Sequence, residues 1–152
     1  MRSETKKCFL SKNNRHKNKT YLLITLYSAG MIYLLFFAPF RQGTNTSVNL
    51  VPFKSTLELT AYTFSTGHGI WHWIINVPGN IVAFIPMGII LSVVRFNKYI
   101  LLPFIILIPC LLEFLQFIFA KGSCDIDDAI LNAVGIFTGI LLREKILKQR
   151  LR

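Results

Sequence analysis

Asp125, Asp127 and Asp128 crowd the start of an apolar run that ends at Leu142, and Asn132 follows one helical turn after the last of them. Two other apolar runs also carry strongly polar side chains, Asn76 and Asn80 in one and Glu113 and Gln116 in the other. Ionisable groups are costly in hydrocarbon and so line shared interiors rather than facing lipid. The spacing i, i+4 or i, i+3 puts each pair on one helical face. A carboxyl group beside amides offers acceptors and donors for a polar ligand, and a shielded acid can hold or release a proton. Asn76, Asn80, Glu113, Gln116, Asp125, Asp128 and Asn132 are therefore the candidate ligand-binding residues. Interhelical hydrogen bonding would also account for Asn76, Asn80 and Gln116, and helix capping for Asp125 and Asp128. Glu113 resists that simpler reading, because glue between helices does not require an acid.

These residues need helices to position them. The chain has 152 residues, is 53% hydrophobic with a mean hydropathy of +0.50, and still carries a net charge of +10. One small membrane domain with basic ends fits that combination. Four apolar stretches, about 21–40, 74–94, 99–119 and 126–142, are expected as transmembrane helices of an all-α integral membrane protein. The first has no small-residue cleavage site after it (Ala38-Pro39-Phe40-Arg41-Gln42) and is expected as an uncleaved helix. The second is broken by Pro78 and Pro86. Residues 1–20 form a basic head, 21–142 the four-helix membrane domain and 143–152 a basic tail.

Charge sets the orientation. With both termini in the cytoplasm, the head, the Arg95/Lys98 turn and the tail hold every basic residue except Arg41, Lys54 and Lys121. The polar members of spans two, three and four then fall in the same outer leaflet. Short connections make these helices antiparallel neighbours in sequence order, so their polar faces can converge.

The outer segment, 41–73, is expected to hold a short interfacial helix. Ser55-Thr56-Leu57-Glu58 reads as a capping box, and Leu57, Ala61 and Phe64 share one face. Trp71 and Trp73 are expected to anchor the end of the second span at headgroup level. Gly135 and Gly139 form G-x-x-x-G, which lets a neighbouring helix approach closely; the same face could instead join two copies of the chain.

Other chemistries find little support. Basic residues form no stripe on a folded face, so nucleic acid is not an expected partner. Cys8, Cys110 and Cys124 are scattered and odd in number, which argues against a disulfide framework or a zinc site. His68 and His72 have a metal-like spacing, but Gly67 and Gly69 flank His68 and oppose a helix there. No metal and no cofactor are expected. There is no serine or cysteine nucleophile with a plausible base, no P-loop and no dinucleotide-binding glycine pattern.

Four blocks taken in order carry a resemblance: Asn49-Leu50-Val51-Pro52-Phe53; Asn80-Ile81-Val82-Ala83-Phe84-Ile85-Pro86-Met87-Gly88; Glu113-Phe114-Leu115-Gln116; and Asp125-Ile126-Asp127-Asp128 through Asn132 to Gly135. Together they resemble the VanZ-like family from about Asn49 to Leu142. The resemblance implies a multi-pass protein of the bacterial cytoplasmic membrane, in a family whose founding member is tied to low-level resistance to the glycopeptide teicoplanin. The family's recurring polar positions match Asn80, Glu113, Gln116, Asp125, Asp128 and Asn132. Gly122 stands where many members carry an arginine, and Ile136 where a second glycine often follows Gly135.

The leading expectation is a non-enzymatic protein that binds a membrane lipid, a lipid-linked cell-wall precursor or a glycopeptide at the outer polar cluster. One alternative is an intramembrane enzyme with Glu113 as general acid or base and the aspartates orienting substrate or a hard cation. Another is an assembly subunit that forms a homo-oligomer through Gly135 and Gly139.

Overall fold

Apolar runs bounded by charge and by glycine or proline become helices, and the computed structural model, which describes residues 18–37, 47–93 and 98–150, is built mainly from them. Helix α1 covers Asn18–Phe37 and ends in a π-helical turn, Tyr33–Phe37. Then follow β1 (Val48–Asn49), α2 (Lys54–Thr66), α3 (Ile70–Asn76), α4 (Pro78–Val93), α5 (Lys98–Ile118), β2 (Cys124–Asp125) and α6 (Ile126–Arg150). The basic head up to Lys17, the segment 38–46 and the turn around Arg95 lie outside the described residues. The chain divides into two compact units, residues 1–34 and 35–152. The described part of the first is the helix that begins at Asn18.

Among the described residues, three helical stretches are long and apolar enough to cross a membrane: Asn18–Phe37, Ile70–Val93 and Leu101–Ile118. The expected fourth, 126–142, is helical but is not among them. Its apolar stretch, Ala129 to Leu142, lies between Asp128 and Arg143 and is only about 20 Å long, against about 30 Å of hydrocarbon. Helix α6 then continues without a break through the basic tail to Arg150.

The second span also differs from expectation. It breaks once, at Val77, between α3 and α4. Pro78 occupies the first position of α4, where its missing N–H costs nothing, whereas Pro86 lies inside a continuous helix. Asn76 and Asn80 therefore sit on different helices rather than one turn apart on one face.

The most extensive helix pairing joins α4 to α6. These two are not consecutive, and the sequence-order expectation of antiparallel neighbours misses them. Gly135 lies against Ile81 and Phe84, and Gly139 against Ile85 and Gly88, so the register rises together and the helices run parallel. A Cβ at Gly88 would collide with the carbonyl oxygen of Ile136, and one at Gly139 with that of Ile85. Small residues thus let two backbones touch, as in membrane helix pairs. Both glycines of the G-x-x-x-G face α4 within the chain. The pair is pinned at both ends. Asn80 Nδ2 donates to Asp128 Oδ1 at 2.9 Å at the start of the helices, and the Arg143 guanidinium donates to the carbonyl of Ser92 near the end of α4. That cation satisfies one of the orphan carbonyls of a helix C-terminus.

Helices α2 and α3 form a hairpin over left-handed Gly67 and Gly69. Trp73 Nε1 donates to Thr60 Oγ1 at 2.9 Å, and the Trp73 and Phe64 rings meet edge to face at 5.5 Å. Trp73 thus staples the hairpin, whereas Trp71 is 74% exposed. Helix α5 closes with a left-handed Ala120; Ala120 N–H bonds Phe117 O and Lys121 N–H bonds Gln116 O, a Schellman ending. Strands β1 and β2 add a short parallel pair, Val48 beside Cys124 and Asn49 beside Asp125, to an otherwise helical chain.

Candidate functional site

The three aspartates have three separate tasks. Asp125 precedes α6, and its Oδ1 accepts the N–H of Asp127 at 3.0 Å, which makes it the N-cap of that helix. Asn49 Nδ2 donates to the same oxygen at 3.2 Å. Asp128 accepts Asn80, as above. Asp127 is 2% exposed and turns away from its own helix. Its carboxylate accepts the N–H of Phe53 through Oδ1 and that of Thr56 through Oδ2, the latter at 2.9 Å.

Those two N–H groups are the N-cap and third positions of α2. A capping box would satisfy such groups with the helix's own side chains; the sequence places one at Ser55 and Glu58, with Ser55 as N-cap. The structure corrects that expectation. Helix α2 starts at Lys54 with Phe53 as N-cap, left-handed at φ 64° and with no side-chain cap of its own. Ser55 Oγ instead accepts Asn49 Nδ2 at 2.6 Å. One carboxylate from α6, 74 residues from Phe53 in sequence, performs both halves of the capping box.

Between α2–α3 on one side and the starts of α4 and α6 on the other lies a pocket of about 480 Å³. Of the expected binding residues, Asn76, Asn80, Asp125 and Asp128 line it. Ser55, Thr56, Glu58, His72, Lys121, Ser123 and Asp127 line it as well. Asp127 could have been read from its place between two candidates, and Lys121 from being one of few basic residues outside the ends. Nothing in the sequence marks Glu58 and His72 as facing this space. Asn76 Nδ2 is turned to its own helix, donating to the carbonyl of His72 at 2.7 Å.

Glu113, Gln116 and Asn132 are buried, 5%, 1% and 2% exposed, and do not line the pocket. Gln116 Nε2 donates to the carbonyl of Leu35 at 3.0 Å, a tie between helices. Asn132 Oδ1 has no donor among the described residues. Glu113 lies close enough to Cys124 for its charge to be felt there. A general acid must reach its substrate, and Glu113 is not in the wall of this pocket. Among the described residues no three of His, Cys, Asp and Glu gather as metal ligands; Asp125 and Asp127 have turned carboxylate oxygens to N–H donors.

Burial pushes the Cys124 thiol above its usual range, and Glu113, Asp125 and Cys110 push it the same way. A raised thiol pKa keeps the unreactive protonated form to higher pH. In a Cys8→Ser, Cys110→Ser background, maleimide labelling of Cys124 should therefore reach half its maximal rate at a higher pH than for a free thiol. Glu113→Gln removes a negative neighbour and should bring that midpoint down. An unmoved midpoint would place Glu113 too far from Cys124 to matter.

Three of the four sequence blocks thus meet at the start of α6. The Asn49 block pairs with Asp125 and is capped by Asp127, and Asn80 binds Asp128. Comparison with known proteins places the chain in a family. The family model described as VanZ/LLP1 matches residues 10–147. The chain is 33% identical over 123 residues to Protein VanZ of Enterococcus faecium, covering 79% of this chain and 70% of that relative. No solved structure matches it. A match over nearly the whole chain, reaching from the apolar first helix to the basic end of α6, makes this protein a member of the VanZ/LLP1 family.

Proposed function

We propose that this family member is a multi-pass protein of the bacterial cytoplasmic membrane that binds an envelope amphiphile at the outward pocket between α2–α3 and the starts of α4 and α6. The ligand is a lipid, a lipid-linked cell-wall precursor or a glycopeptide, and the consequence is protection against teicoplanin. The observation that carries this reading is the pocket itself, where Asn80 and Asp128 meet beneath α2. Both termini lie in the cytoplasm in this reading, which follows the charge distribution. Helix α6 serves as the fourth crossing. Its 25 residues span about 37 Å, and its acidic first turn is occupied by N–H donors instead of facing lipid. Helix α2 rests on the outer leaflet through Leu57, Ala61 and Phe64, all exposed.

The test is growth of a susceptible host on teicoplanin. Expression of the chain should raise the tolerated concentration over an empty vector. Asn80→Ala combined with Asp128→Ala should remove most of that gain at equal amounts in the membrane. Susceptibility equal to the empty vector for the unaltered chain would overturn the antibiotic reading.

A further inference from the structure

Lys121 lines two pockets at once. The first is the polar pocket described above; the second is an aromatic cleft of about 340 Å³ walled by Phe36, Phe37 and Phe119. Phe36 and Phe119 meet edge to face, with ring centroids 6.1 Å apart, and Phe37 and Phe119 are 63% and 60% exposed. A lysine suits such a boundary, because its methylene stem lies along apolar surface while the ammonium reaches toward polar surroundings. In a bilayer that boundary is the headgroup level, with chains on one side and head on the other. Among the described residues neither the Lys121 ammonium nor the Glu58 carboxylate forms an ion pair, although both line the polar pocket. Among the described residues the pocket wall therefore carries one cation and one anion without an ion-pair partner.

We infer that the two pockets hold a single zwitterionic phospholipid, its chain against Phe36, Phe37 and Phe119, its phosphate at Lys121 and its ammonium group at Glu58. This rests on the proposed use of the polar pocket and names the class of amphiphile it takes. A zwitterionic head fits because Lys121 can take a phosphate while the carboxylate-rich lining, Glu58, Asp125, Asp127 and Asp128, favours an accompanying ammonium. A purely anionic head would meet net repulsion there, and an uncharged head would leave Lys121 and Glu58 unpaired. A phosphate–ammonium head matches both charges, and charge-assisted hydrogen bonds are the strong ones.

The experiment is competition by three lipids with equal chains against a fluorescent phosphatidylethanolamine bound to the purified full chain in detergent. Phosphatidylethanolamine should outcompete phosphatidylglycerol and diacylglycerol by about tenfold, the scale of one charge-assisted contact. Lys121→Gln should weaken phosphatidylethanolamine by about tenfold and leave diacylglycerol unchanged. Glu58→Gln should abolish the preference over phosphatidylglycerol, and Phe119→Ala should weaken all three alike. Equal competition by all three lipids, a preference for phosphatidylglycerol, or an unaltered affinity in Lys121→Gln would overturn the inference. Teicoplanin protection without lipid preference sinks this inference alone; lipid preference without protection sinks the antibiotic reading alone.

Discussion

Gly139→Ala will weaken the α4–α6 pair and destabilise the protein by about 1–3 kcal/mol, the range for forced overpacking. The added Cβ meets the backbone carbonyl of Ile85 and lies 3.0 Å from the Cα of Gly88. Backbone cannot rotate aside as a side-chain tip can, so one helix must shift. The shift would also strain the Asn80–Asp128 bond, because the same two helices carry it. Gly88→Ala should behave alike, since its Cβ meets the carbonyl of Ile136. Gly30→Ala supplies the control. Nothing lies within 4 Å of a Cβ there, and Gly30 is in a helix, so alanine should be neutral or stabilise by about 0.5–1 kcal/mol. Unfolding in detergent, followed by circular dichroism, measures all three. Equal stability of Gly139→Ala and Gly30→Ala would refute the close parallel pair.

Asp127→Ala is expected to have an effect of similar size by a different route. It leaves the N–H groups of Phe53 and Thr56 without their acceptor at a part-buried site, at about 0.5–2 kcal/mol for the lost cap. It also releases Phe53 from the left-handed conformation that a bulky residue adopts only under constraint. The loss should be local to α2 rather than global. Hydrogen exchange at Phe53 and Thr56 should rise well above that of α4 amides, and Asp127→Asn, which keeps one acceptor oxygen, should fall between. Unchanged protection at Phe53 and Thr56 in Asp127→Ala would show that α2 does not depend on α6. Because α2 walls the pocket, the same variant should weaken ligand binding even though Asp127 makes its bonds to the protein.

Some of this was plain in the chain. Apolar length marks the helices, and Gly135 and Gly139 announce a close helix contact. Asn80 and Asp128 do meet, as their expected common depth implied. Periodicity reads local geometry, and these inferences needed nothing more. The break at Val77 was misread because Pro78 and Pro86 look alike in sequence, yet only one opens a helix. Glu113 is buried outside the pocket wall, because depth along a helix does not say which neighbour a face meets.

What the sequence by itself determined is therefore the membrane class, the family and which polar groups are too costly to leave in lipid. Only the tertiary structure decided that α4 pairs with α6, that Asp127 caps a helix more than seventy residues away, and that Lys121 stands between a polar and an aromatic pocket. The reason is physical. A hydrogen-bonding group records its need for a partner in its chemistry, but the partner's identity depends on which backbones come within reach. Here that is set by three glycines, Gly88, Gly135 and Gly139, which let two non-consecutive helices touch.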